Sequence, residues 1–233
     1  MQHRSDVTAP GVHRRMEGQL TTRTVNADHP ALRRDLDDIL RPQRALVDSA
    51  RLGEDDFLLT PTNFDPMSMN AGDMVRVRQG RREIGKIPGT GAAYCREFYR
   101  NCPWANAIIM TRPPHAMAFA TTATPIDSRT IPESYIQLRD MPMLSSQEYF
   151  ASPKNALKYL SPAHPVLLVE NSGVITFGKT LLEAFDRLEV AEFTAKCLLL
   201  AGRIGSFRPI GEKQVEAIIE AFHLPVDEAV ADN

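Results

Sequence analysis

At 233 residues, 43% of them hydrophobic, the chain is long enough to bury one sizeable core. Its 27 basic and 29 acidic side chains leave a formal charge of -2, which provides no field of one sign for nucleic acid or an anionic membrane, so neither is expected as a partner. No apolar run approaches the roughly 18 residues of a membrane span, and the first residues, MQHRSDVTAPGVHRRMEGQ, lack the apolar segment of a secretory signal, so a cytoplasmic location is expected.

Residues 1–28 mix charge, glycine, proline and threonine without apolar periodicity and are expected to form a mobile N-terminal arm. From Asp28, a good N-cap type, with Pro30 in the first turn, the spacing of Leu32, Leu36 and Ile39 predicts an amphipathic helix that Pro42 ends or kinks. Ala45, Leu46 and Ala50 predict a second helical stretch, and Phe57 to Thr60 a short strand closed by Pro61. Val75 and Val77 then alternate with Arg76 and Arg78. Gln79-Gly80 supplies a turn and Glu83 to Ile87 the return, a hairpin whose arginines form a solvated face. Pro88-Gly89-Thr90-Gly91 feeds a helix over Ala92 to Arg100. Glycines there serve a tight strand-to-helix connection; they also leave helix amides open to an anion, which makes Gly89, Thr90 and Gly91 candidate ligand-binding residues.

Asn106 to Thr111 (NAIIMT) predicts a buried strand that delivers Met110 and Arg112 to its end, and Ala116 to Thr122 is helical beyond Pro113-Pro114-His115. Pro165 to Glu170 and Val174 to Phe177 predict two strands joined by the turn Asn171-Ser172-Gly173. Thr180-x-x-Glu183 is a capping box, and Leu181, Phe185, Leu188, Ala191, Ala195, Leu198 and Gly202 draw one apolar or small stripe along the helix that follows. Val215, Ile218, Ile219 and Phe222 mark a final helix before a C-terminal tail, 223–233. Cys95, Cys102 and Cys197 are too few and too scattered for a disulfide framework and read as reduced thiols; with His115 they offer metal-binding atoms but no ligand spacing.

The order of these elements, with several local motifs, resembles the class II aldolase/adducin family over roughly His29 to Phe222. Tyr99 to Thr122 (YRNCPWANAIIMTRPPHAMAFATT) is similar to the family's "P-x-A-x-A-I-I-H-x-H" strand and "P-P-x-A-x-A" turn. Val166 to Lys196 is similar to its "L-L-x-x-H-G-x-x-x-x-G-x-x-L-x-E-A" segment, and Leu58 to Val77 and Thr130 to Ser134 (TIPES) also fit. The resemblance implies one domain over 29–222, of α/β class: a three-layer α/β/α arrangement with a largely antiparallel central sheet. It also implies a homo-oligomer, commonly a tetramer with sites between subunits. Tyr135 follows TIPES near the place from which family aldolases bring a tyrosine to a neighbouring subunit's site.

The same resemblance implies a lost metal site. Where the family holds zinc on three histidines, this chain has Met110, Arg112 and Ser172, and a thioether, a protonated guanidinium and a hydroxyl are poor replacements for imidazole. The family's acid/base glutamate falls at Gly91, and its G-N-x-S phosphate loop is missing or shortened between Ser49 and Phe57, near Gly53. No cofactor is expected. Arg112 could still attract a small anion. His115 reads first as a capping or surface histidine and second as a ligand donor or proton carrier. The first functional reading is therefore a noncatalytic binding or regulatory pseudoenzyme, associating with itself or with an active paralogue. The second is a metal-independent aldehyde-lyase, decarboxylase or isomerase acting on a small sugar-like or oxo-acid substrate, with Arg112 as electrophile and His115 or Tyr135 moving protons. A third is a purely structural oligomer.

Overall fold

A computed structural model of the protein describes residues 47–65 and 68–227. Its framework is an eight-stranded sheet in the order β4-β3-β2-β1-β5-β8-β7-β6. The strands are β1 (Val47–Gly53), β2 (Asp56–Leu59), β3 (Val75–Arg78), β4 (Arg81–Arg82), β5 (Ala107–Thr111), β6 (Met143–Leu144), β7 (Val166–Val169) and β8 (Gly173–Gly178). Every neighbouring pair is antiparallel except β6 with β7. The helices are α1 (Ala92–Asn101), α2 (Pro114–Thr121), α3 (Pro132–Leu138), α4 (Ser146–Ala151), α5 (Pro153–Leu157), α6 (Leu181–Ile204) and α7 (Glu212–Ala221).

The central strands are buried on both faces, so their apolar residues divide alternately between two cores. Ile109, Leu168 and Val174 pack with Ala116 and Ala120 of α2, Leu138 of α3 and Leu181, Ala184, Leu188, Ala191 and Ala195 of α6. Ile108, Met110, Leu167, Ile175 and Phe177 pack on the opposite side with Cys95, Phe98 and Tyr99 of α1, Tyr149 of α4 and Ala156 of α5. These are the three layers of the expected α/β fold.

Most expected elements are found, with two corrections. Ala50 does not belong to a helix: it lies in β1, paired with Leu58 of β2 on one side and Ala107 of β5 on the other. Two ladders override the helical preference of a few alanine and leucine residues. The helix expected from Asp28, and Ala45 and Leu46, lie outside the described residues, as does the N-terminal arm. The return strand of the β3–β4 hairpin occupies Arg81–Arg82 rather than Glu83 to Ile87, because a further turn carries Gly85 at φ 82°. The predicted turn at Gln79-Gly80 is present. Ser49 to Phe57, the stretch set against the family's phosphate loop, forms the tight β1–β2 hairpin.

Helix α6 starts as its sequence dictates, with Thr180 Oγ1 accepting from the Glu183 amide at 3.1 Å; the Glu183 carboxylate returns to the amide of Lys179 rather than of Thr180. Its stripe is buried through Ala195 apart from the half-buried Phe185 and then emerges: Gly202 is exposed, as are Leu199, Leu200 and Ile204. Arg51 fastens the other layer. Its guanidinium donates to the carbonyls of Tyr99, Cys102 and Ala105 at 2.7, 2.9 and 3.0 Å, satisfying the end of α1. No helix among the described residues is long and apolar enough to cross a membrane.

Candidate functional site

Two close approaches of backbone create the site. At Gly173, where φ is 154°, an added Cβ would lie 2.3 Å from the carbonyl oxygen of Thr111. Only glycine lets the start of β8 press this near the end of β5, and the Val169–Gly173 pairing turns the chain through Asn171 and Ser172 at that point. At Gly91 an added Cβ would meet the Val47 side chain at 2.6 Å, so the N-terminus of α1 sits directly on β1. The ends of β5 and β8 and the start of α1 thereby converge.

Between them is a cavity of about 300 Å³ whose lining includes Thr90, Gly91, Met110, Arg112, Ser172 and Tyr149. Five of the residues singled out in the sequence are therefore brought together: Met110, Arg112 and Ser172, the three places set against the zinc ligands, with Thr90 and Gly91. Arg112 is exposed, and its Nε donates to the Ser172 carbonyl at 2.9 Å; among the described residues its terminal nitrogens have no partner. Met110 receives the Tyr149 hydroxyl on its sulfur at 3.8 Å. A guanidinium has no lone pair for a cation, and a neutral hydroxyl and thioether are weak ligands for zinc, so this donor set does not fit that ion.

The other candidates lie elsewhere. Gly89 does not line the cavity; it is buried, and its amide donates to the Thr60 carbonyl at 2.9 Å. His115, in the first turn of α2, points its Nδ1 at Glu192 of α6, 2.7 Å away. The same carboxylate accepts from the amides of His115 and Ala116 at 3.0 to 3.1 Å, so Glu192 serves as the N-terminal cap of α2 and His115 is part of that arrangement. Tyr135 is buried in α3 with the Arg139 guanidinium 5.9 Å from its ring centre, beside a different hollow that includes His164 and Asp227. Burial pushes its hydroxyl above the ordinary tyrosine range. Cys95 and Cys102 are buried free thiols, raised by burial to about 12 and about 11. Among the described residues no three His, Cys, Asp or Glu side chains gather closely enough to hold a metal ion.

The cavity also contains residues that the sequence reading passed over: Val47, Tyr94, Tyr149 and Phe150. Tyr149 and Phe150 lie on α4, whose start was legible in Ser145-x-x-Glu148. The Ser145 hydroxyl accepts from the Glu148 amide at 3.2 Å, as a capping box requires. Asp48 was missed too. It is a core acid, 1% exposed, whose Oδ1 has no hydrogen-bond partner among the described residues.

Fold and cavity define an α/β protein with its pocket where two antiparallel strand ends meet a helix N-terminus. Residues 48–199 match the family model described as Class II Aldolase and Adducin N-terminal domain. A sequence relative, L-fuculose phosphate aldolase of Methanococcus vannielii, is 29% identical over 142 residues, covering 59% of this chain and 75% of that protein. The solved L-fuculose 1-phosphate aldolase from Glaciozyma antarctica superposes with a TM-score of 0.73 at 20% identity, covering 86% of this chain and 85% of that one. An aldolase II superfamily protein from Pseudomonas syringae gives a TM-score of 0.71 at 13% identity, with 88% and 89% covered. The chain belongs to the class II aldolase and adducin family.

Proposed function

We propose that this family member has given up zinc-dependent chemistry and uses the cavity to bind a small anion on Arg112, as a noncatalytic binding or regulatory protein. The observation that carries the reading is Arg112 itself: a guanidinium fixed through Nε on the Ser172 carbonyl, with its terminal nitrogens uncommitted among the described residues, in a cavity whose described lining includes no acid. A carboxylate or phosphate oxygen is the natural partner of such a cation. The fixed Nε contact reduces the ordering needed when the anion arrives.

Binding is favoured over proton transfer by what surrounds Arg112. His115 and Tyr135 are engaged away from the cavity. The tyrosines that do line it, Tyr94 and Tyr149, are both raised by burial, which leaves them poorly matched to acid/base work near neutral pH. Self-association, in a tetramer or with an active paralogue, belongs to the same reading and is supported by the exposed apolar side chains Phe193, Leu200 and Ile204 on α6.

Calorimetric titration of the full chain with acetate and inorganic phosphate, for wild type and Arg112→Met, tests the proposal. Arg112→Met is expected to weaken anion binding about thirtyfold, the worth of roughly 2 kcal/mol for a charge-assisted hydrogen bond. Added zinc is expected to leave the melting temperature unchanged. A stoichiometric zinc-dependent rise, or anion affinity that survives the substitution, would overturn it.

A further inference from the structure

We infer that the ligand of the Arg112 cavity is a monocarboxylate with a compact, flat or apolar body, and not a polyhydroxylated sugar phosphate. The inference rests on the anion-binding reading above and adds the chemical class of the molecule.

Most of the cavity lining is apolar surface. Tyr94 and Tyr149 stack with ring centres 4.8 Å apart and planes 27° apart, and Phe150 meets Tyr149 edge-on at 5.2 Å while remaining 63% exposed. Val47, Met110 and Ile175 extend the lining. The O–H donors of the two tyrosines are already committed: that of Tyr94 donates to the Tyr149 carbonyl at 3.3 Å and that of Tyr149 to Met110 sulfur. What these residues offer a ligand is therefore ring and thioether surface, and an exposed phenylalanine at a pocket gains when an apolar body covers it.

The polar complement is small. Arg112 is the cation among the described lining, which also holds the hydroxyl-bearing residues Thr90, Thr111 and Ser172. With Nε held by Ser172, the two terminal nitrogens form a fork that matches the two oxygens of one carboxylate. A sugar phosphate brings a dianionic head and several hydroxyls, each of which must be paired when it leaves water. One guanidinium and three hydroxyls do not suffice for that. A volume of about 300 Å³ is at the small end of ligand pockets, which suits a body of about one ring.

The test is equilibrium titration of the full chain, at fixed ionic strength, with benzoate, cyclohexanecarboxylate, acetate, dihydroxyacetone phosphate and benzyl alcohol. Benzoate or cyclohexanecarboxylate is expected to bind at least about tenfold more tightly than acetate or dihydroxyacetone phosphate, from the apolar surface covered. Tyr94→Ala is expected to weaken benzoate severalfold and leave acetate unchanged, a split that general loss of structure does not produce. If acetate or dihydroxyacetone phosphate binds as tightly as benzoate, the ligand class is wrong while the anion site stands. Benzyl alcohol matching benzoate means that Arg112 is not used and the anion reading fails. No binding by any carboxylate overturns both.

Discussion

Of two hollows compared on this protein, the larger, about 460 Å³, collects Asp127, Asp140, Lys158, His164 and Asp227, whereas the Arg112 cavity, about 300 Å³, has one charged side chain among its described lining. By count of titratable groups the larger of these two is the obvious site. Its aspartates and its histidine, however, have partners. Asp227 takes the Ser161 hydroxyl at 2.6 Å and lies 2.9 Å from His164 Nε2, while His164 Nδ1 faces the Asp140 carbonyl at 2.9 Å. Among the described residues Arg112 has only its Nε contact. A polar group already satisfied inside the protein has little to give a ligand, so unspent hydrogen-bonding capacity locates a binding site better than a count of charges does.

The comparison is broken most forcefully by removing the backbone approach that builds the smaller cavity. Gly173→Ala would place a methyl group 2.3 Å from the Thr111 carbonyl oxygen, and that oxygen belongs to main chain in the β5–β8 ladder, which cannot swing aside like a side chain. A loss of roughly 2–4 kcal/mol is expected, from strain at a positive φ together with overpacking. Urea unfolding measures it. The larger hollow is lined by other elements and should keep its contacts; a Gly173→Ala protein of wild-type stability would mean that the two strand ends are not held this close.

Asp48 sharpens the comparison from the other side, because an unsatisfied polar group can also be a cost with no ligand attached. Its carboxyl is buried with Oδ1 unpaired among the described residues, and burial holds its pKa well above the ordinary carboxylate range. The sign follows. Between the unfolded value near 4 and the raised folded value, the native state binds more protons, so stability contributed by the protonated acid is present below about pH 4 and is lost as pH rises through the folded pKa. The slope reaches at most about 1.4 kcal/mol per pH unit. Asp48→Asn should remove that slope, leaving the variant more stable relative to wild type as pH rises from 4 to 7. Denaturant midpoints at three pH values decide it, and parallel curves for the two proteins would contradict the assignment.

Much of the fold could be read from the residues because it depends on local signals. The alternation in Val75 to Arg78, the apolar runs at Ile108 to Met110 and Val166 to Val169, and the threonine cap of α6 each specify an element within a few residues. Ala50 was misleading because its strand exists through partners, Leu58 and Ala107, that no local window contains. The cavity divides in the same way. Arg112 and Ser172 were legible from motif spacing, but they meet only because a glycine 60 or so residues from Thr111 admits the close approach of two strands. The aromatic wall was not legible: Tyr94 and Tyr149 come from helices separated by two strands and two helices in the chain, and only the packed layer stacks them.

The smallest effect is expected in the larger hollow. Asp227→Ala removes the acceptor shared by Ser161 and His164, yet the side chain is 53% exposed and its ion pair faces solvent, so screening and side-chain entropy cancel most of the attraction. A stability change below about 1 kcal/mol is expected. Anion affinity at Arg112 should not move, since no residue is common to the linings of the two hollows. Thermal melting and the acetate titration are read on the same sample. Unchanged affinity with a slight loss of stability fits a pair that only ties the C-terminal segment to the body. A severalfold fall in acetate affinity would mean that the hollows are coupled through the sheet, and internal pairing would then be no reason to set the larger one aside.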